Sequence, residues 1–126
     1  MLVIVDDDFS VREMLTEAFI DKYPINLFSN GLEALKYIKA NKGLVQVVLT
    51  DYAMPEMNGA DLSIKVKEFD SDIFIIMMSG FIDFESIEHL LKRRVIHQFI
   101  TKPFNLDRLM NMVETANRLF LKKTAI

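Results

Sequence analysis

The chain contains no cysteine, no tryptophan, only four glycines and only three prolines among its 126 residues. Without cysteine, disulfides and thiolate metal sites are excluded. So little glycine and proline leaves no low-complexity tract. There is no excess of basic residues. Fifteen Lys and Arg against 18 Asp and Glu give a formal net charge of −3, whereas proteins that bind nucleic acid directly usually carry a basic field. No long hydrophobic run is present either. Asp6, Asp7 and Asp8 interrupt the first apolar stretch too early for a signal peptide, and nothing later approaches the length of a membrane span. With 51% hydrophobic residues, the expectation is one domain with a core of its own in a reducing cytoplasm.

What is present is an alternation of short apolar runs and longer segments of helical period. Leu2–Val5 is rich in β-branched residues and reads as a strand. Ser10 and Glu13 have capping-box spacing, and Val11, Met14, Leu15, Ala18 and Phe19 then recur on one helical face. Tyr23-Pro24 ends that helix. Residues 25–28 form a second strand, Ser29-Asn30-Gly31 supply turn and cap chemistry, and Ala34, Leu35 and Ile38 continue a helical stripe. Residues 45–50 read as the third strand, followed by a loop over 51–58 and a helix with Leu62, Val66 and Phe69 inward. Residues 73–78 read as the fourth strand. A helix over 83–93 turns Phe84, Ile87 and Leu91 inward, and residues 97–101 form a fifth strand. Asn105 caps a last helix with Leu106, Leu109, Met110, Val113, Ala116 and Phe120 on its stripe. Five strands alternating with five helices imply a parallel sheet covered on both faces. The first strand begins beside Met1, so no folded segment is expected to precede it.

In such sheets ligands bind beyond the carboxyl ends of the strands. Asp6-Asp7-Asp8 follow the first strand, Asp51 the third, Ser79 the fourth and Lys102 the fifth. Any one of these is commonly a turn or solvated residue; it is their gathering on one edge that points to chemistry. Clustered carboxylates repel one another, and a hard divalent cation relieves that. Oxygen ligands without cysteine favour Mg²⁺, or Mn²⁺, over zinc. A lysine beside such a site calls for an anion, and a phosphoryl group fits both cation and lysine.

With these residues placed, the sequence resembles the receiver domain of two-component response regulators over nearly its whole length. The resemblance is carried by Val5-Asp6-Asp7, by Asp51-Tyr52-Ala53-Met54-Pro55-Glu56-Met57-Asn58-Gly59, by Met78-Ser79-Gly80 and by Lys102-Pro103-Phe104. It implies a flavodoxin-like doubly wound (βα)5 fold with strand order 2-1-3-4-5, the order of the chemotaxis receiver. Residues 1–122 would be the receiver and 123–126 a tail or the start of a linker. Asp51 would accept the phosphoryl group, and Lys102 would pair with one of its oxygens. Asp7 would ligate Mg²⁺ directly, Asp6 through water, with Asp51 and the backbone carbonyl of Ala53 completing the protein ligands. Ser79 would hydrogen-bond the phosphoryl group, and Phe99 would be the aromatic switch. The Lys102-Pro103 bond would be cis.

The resemblance also implies a partner histidine kinase or phosphotransfer protein. It implies an output through the fourth helix, fifth strand and fifth helix, toward a downstream protein, an attached output domain or a phosphorylation-dependent homodimer. No enzyme activity is expected beyond self-phosphorylation and self-dephosphorylation. Phe99 stands where tyrosine is common, and Val95-Ile96 stand where a Gly-Ala pair is frequent. His97-Gln98 replace two aspartates frequent in transcription-factor relatives, which removes the carboxylates of their charged dimer. Two other readings compete. A haloacid-dehalogenase-like phosphotransferase would use Asp6 as nucleophile and Asp8 as general acid, but leaves Asp51 and its Met-Pro loop unexplained. A pseudo-receiver that never takes phosphate usually lacks an acidic or lysine position, and here all are present.

Overall fold

The computed structural model describes residues 1–80 and 84–124. In chain order the elements are β1 (Leu2–Val5), α1 (Phe9–Phe19), β2 (Ile25–Phe28), α2 (Gly31–Ala40) and β3 (Val47–Asp51). There follow α3 (Gly59–Phe69), β4 (Phe74–Ser79), α4 (Phe84–Lys92), β5 (Gln98–Thr101) and α5 (Leu106–Thr124). The strands form one parallel sheet in the order β2-β1-β3-β4-β5. The fold is the expected flavodoxin-like one. From β1 the chain steps one way to β2 and later the other way to β3. The loops after β1 and β3 therefore diverge and open a crevice between them.

Successive strand residues point to opposite faces, and this divides the core in two. Val3, Val5, Val48, Ile75 and Met77 pack against α2, α3 and α4. Leu2, Ile4, Leu49, Ile76 and Met78 pack against α1 and α5. The apolar runs of β1 and β3 are buried throughout, as strands covered on both faces must be.

Several boundaries differ from those read in the sequence. Asp8 caps α1 as its place before the helix suggests, its carboxylate accepting the Ser10 backbone N–H at 2.8 Å, and the capping-box spacing of Ser10 and Glu13 goes unused. The helix thus starts one residue before Ser10, and Met14 lies at its edge with 39% exposure. Asp51 is the last residue of β3 and not the first of a loop, so its position is fixed by sheet pairing. On α4 it is Leu90, with Ile87, that is buried, while Leu91 only packs at the edge. Asp83 and the side chain of Phe84 lie outside the described residues.

The turn from α4 into β5 closes without the frequent Gly-Ala pair. Val95 N–H bonds the Leu90 carbonyl at 2.9 Å and Arg94 N–H that of Leu91 at 3.0 Å, the paired bonds of a Schellman ending. The left-handed residue is Arg94, at φ 57°. Val95 and Ile96 then go into the core.

His97 locks the start of β5 to β4. Its N–H donates to the Ile75 carbonyl at 2.8 Å, and its Nδ1 accepts the Ile75 N–H at 3.1 Å. Burial, and then the charges of Lys67 and Lys123, push its pKa from 6.5 down to about 4. Between those values the unfolded chain binds the proton and the folded chain does not. Stability should therefore fall as pH drops from 6.5 toward 4, with no further loss from this group below that. At about 1.4 kcal/mol per unit, the contribution is about 3 kcal/mol. Urea midpoints across this window should lose most of that slope in His97→Gln. An identical slope in the variant would rule out His97 as its source.

Candidate functional site

The four strand-end signals converge at the crevice. Asp6 directly follows β1 and is fully buried, and Asp51 ends β3 with only 6% of its surface exposed. Asp7 is exposed. One carboxylate oxygen from each of Asp6, Asp7 and Asp51 lies within 4.8 Å of the others. Lys102, just after β5, reaches into this cluster. Its Nζ is 2.7 Å from Asp6 Oδ2 and 3.4 Å from Asp51 Oδ1.

The Asp6 carboxylate and the backbone around the cluster are held from behind. Asp6 Oδ1 accepts the Asp8 N–H at 2.9 Å. The Asp6 carbonyl accepts Arg12 Nη1 at 2.6 Å, which ties the β1 end to the first turn of α1. Nothing in the spacing of Arg12 marks this role in the sequence. Tyr52 N–H extends the β3–β4 ladder by bonding the Met78 carbonyl, and Lys102 N–H bonds the Ser79 carbonyl, both at 2.8 Å. The Lys102-Pro103 bond is cis. Ser79, the last residue of β4, is buried at the same edge. Ala53 lies exposed in the loop that leaves Asp51. Phe99 sits on β5, half-buried, on the face covered by α2, α3 and α4.

The loop returns abruptly to its start. Gly59 N–H bonds the Tyr52 carbonyl at 2.7 Å, and Asn58 caps α3 by accepting the Asp61 N–H at 2.8 Å. A Cβ on Gly59 would overlap the Asp51 carbonyl oxygen and lie 3.0 Å from the Asp51 carbonyl carbon and Tyr52 Cα. Only glycine lets the helix start pass so close to the end of β3.

The charges are unbalanced. Burial raises the pKa of Asp51, Asp6 and Asp7 raise it further, and Lys102 opposes them. Burial works against the Lys102 charge, yet the Asp6 and Asp51 carboxylates outweigh it and hold its pKa up. Three carboxylates thus share one ammonium group. An all-oxygen cluster with a surplus of negative charge suits a hard divalent cation. Asp6 depends on Lys102 when no metal is present. Removing one partner of a buried pair typically costs about 3 kcal/mol or more. Lys102→Met should accordingly lower the stability of the metal-free protein by about 2–3 kcal/mol, since Lys102 keeps some solvent contact. Mg²⁺ should restore part of that loss. An unchanged urea midpoint in the variant would show that Asp6 does not need this partner.

The acidic cluster and the lysine thus sit together at the carboxyl ends of the strands of a doubly wound α/β sheet. Comparison with known proteins identifies the family: the response regulator receiver domain matches residues 2–114, and the chain belongs to that family. It is 29% identical over 114 residues to sporulation initiation phosphotransferase F of Bacillus subtilis, covering 90% of each chain. It is 30% identical over 115 residues to the response regulator receiver protein CpdR of Brucella abortus, covering 90% of this chain and 92% of that one. By contrast, it spans 24% of the hydrogenase transcriptional regulatory protein HoxA of Bradyrhizobium diazoefficiens, at 28% identity over 119 residues. Among solved structures, a CheY-like receiver from Methanospirillum hungatei superposes with a TM-score of 0.88 at 21% identity, covering 97% of this chain and 96% of that one. The chain is therefore a receiver domain of the two-component type. Among the described residues no helix is long and apolar enough to cross a membrane.

Proposed function

We propose that Asp51 accepts a phosphoryl group from a phosphohistidine on a partner kinase or phosphotransfer protein. An Asp51 carboxylate oxygen attacks phosphorus, the P–N bond breaks, and the electron pair leaves with the imidazole. The observation that carries this reading is the shared ammonium. Lys102 stands between the Asp6 and Asp51 carboxylates, where it can also meet an incoming phosphoryl oxygen.

The same geometry sorts the carboxylates. Both Asp6 oxygens have protein partners, Lys102 and the Asp8 N–H, which suits a water-mediated role toward a metal. Asp7, exposed, is free to be the direct ligand, with Asp51 beside it, and the Ala53 carbonyl is proposed as a further ligand. Mg²⁺, or Mn²⁺, would supply positive charge to the phosphoryl oxygens and offset carboxylate repulsion. Lys102 neutralises a further phosphoryl oxygen. The Ser79 hydroxyl, at the same sheet edge, hydrogen-bonds the group once it is in place.

Movement of Ser79 toward the phosphoryl group makes room for Phe99 to turn further inward. That changes the surface formed by α4, β5 and α5, where Glu88, Lys92 and Arg108 are exposed. This surface meets a downstream protein, an attached output domain or a second copy of the chain. His97-Gln98 favour apolar contacts over ion pairs in such a dimer. The unit is regulatory and cytoplasmic and acts chemically only on itself.

Metal titration tests the ligand assignment. Asp7→Ala should weaken Mg²⁺ binding strongly, whereas Asp8→Ala should mainly uncap α1, at a cost of about 1 kcal/mol. Equal loss of Mg²⁺ binding in both variants would contradict the assignment and favour the Asp6-x-Asp8 reading.

A further inference from the structure

A sizeable cavity lies away from the acidic site. It lies at the opposite, amino edge of the sheet and has a volume of about 710 Å³. Its wall combines Lys67 from α3, Phe74 at the start of β4, Arg93 and Arg94 after α4, His97 before β5 and Lys123 near the end of α5. Four cations from three parts of the chain thus face one concavity.

These cations are only partly compensated, with Asp72 and Asp70 acting on Lys67 from beyond ion-pair distance. Lys67 Nζ is fixed by two backbone carbonyls, those of Ser71 at 2.6 Å and Ile73 at 3.0 Å, which leaves it one further N–H. Its burial, and then Lys123, lower its pKa to about 8, so it stays mostly charged at neutral pH. Among the described residues, no carboxylate lies within ion-pair distance of Lys67, Arg93 or Arg94, and Lys123 reaches only Asp72, at 3.5 Å. Nearby Lys92, on the solvated face of α4, does have a partner, Glu88 at 2.8 Å.

Two details mark the cavity as more than a basic patch. Arg94 occupies the left-handed position that ends α4, where glycine is the usual residue because it alone avoids the Cβ clash. A local rule broken in this way is expected where a side chain has a use. The Phe74 and His97 rings, with centroids 4.3 Å apart, give the wall an apolar aromatic stretch. Because His97 Nδ1 accepts the Ile75 N–H, its ring proton sits on Nε2 and is available as a donor.

We infer that this cavity binds a phosphorylated small molecule of about nucleotide size. Its phosphate lies among Lys67, Arg94 and Lys123, and its apolar or ring portion lies against Phe74 and His97. The volume falls within the roughly 300–1,000 Å³ of small-molecule sites, and guanidinium groups match phosphate oxygens two at a time. This site is separate from Asp51, and its occupancy does not depend on phosphotransfer.

The test is an amide NMR titration of the whole chain in EDTA at fixed ionic strength. The probes are inorganic pyrophosphate, adenosine diphosphate and a short poly-aspartate peptide. Both phosphate compounds should give saturable shifts at Ile75, Val95, Ile96 and His97, with the nucleotide binding more tightly. Arg94→Gly removes the guanidinium while relieving the left-handed strain, so it should fold at least as stably and bind about tenfold more weakly. The inference is overturned by an absence of saturable shifts at this edge at millimolar probe, by shifts confined to the Asp51 edge, or by equal binding in folded Arg94→Gly. A stronger response to the peptide than to either phosphate compound would overturn it in favour of an acidic protein partner.

Discussion

Asp51→Asn should take up no phosphoryl group from a small phosphodonor with Mg²⁺, and should be more stable than the parent chain when metal is removed. Asparagine keeps the shape of the side chain but offers no carboxylate nucleophile, so loss of the adduct should be complete. The gain in stability follows from the charge balance. Burial first, and Asp6 and Asp7 in addition, raise the pKa of Asp51. The fold therefore disfavours its ionised form. That penalty is present at neutral pH and is relieved as pH falls through the raised value. The amide escapes it, at the loss of a 3.4 Å interaction with Lys102, which still has Asp6 at 2.7 Å. Intact mass and urea midpoints in EDTA at neutral pH read both effects. A phosphate adduct that survives in the variant, or a midpoint below that of the parent, would count against this description of the site.

Gly59→Ala should cost about 3 kcal/mol, at the upper end of what forced overpacking usually costs. The added methyl meets the Asp51 carbonyl and Tyr52 Cα, which are backbone atoms and cannot swing aside. Either the start of α3 or the end of β3 must move, and the latter carries the phosphoacceptor candidate. Alanine gains at most about 1 kcal/mol of helix propensity in return. Gly31→Ala is the control. Its methyl would meet the Met57 side chain at 3.2–3.4 Å, and a thioether chain can shift. A loss near zero is expected there. Equal losses at the two positions would show that close backbone approach is not what Gly59 provides. Phosphoryl uptake should also slow in Gly59→Ala and stay normal in Gly31→Ala.

The sheet was legible in the sequence because its strands are covered on both faces and read as unbroken apolar runs. Strand order came with the family resemblance, not from periodicity. The acidic cluster and Lys102 were legible because topology assigns strand ends to one edge whatever the side chains do. What stayed hidden depends on distances between residues far apart in sequence. Arg12 has no motif, and only the fold brings it to the Asp6 carbonyl. Gly59 is visible as a letter in a loop, but its reason, the passing Asp51 backbone, is tertiary. Met14 matches the helical period of α1 yet sits at the rim, because a period does not say how wide the buried stripe is. The basic cavity assembles Lys67, Arg94 and Lys123 from three separate segments, so no local pattern announces it.

The central claim is that Asp51, and not another nucleophile, takes the phosphoryl group. The most direct measurement locates the group on the unaltered chain. The protein is treated with a small phosphodonor and Mg²⁺, and the acyl phosphate is reduced with borohydride, which converts the modified aspartate to homoserine. Digestion and fragment mass spectrometry then place the changed residue. Homoserine is expected at position 51 alone, and only when Mg²⁺ is present. Conversion at Asp6, as the Asp-x-Asp reading requires, or a phosphate adduct that leaves Asp51 unmodified, would contradict it.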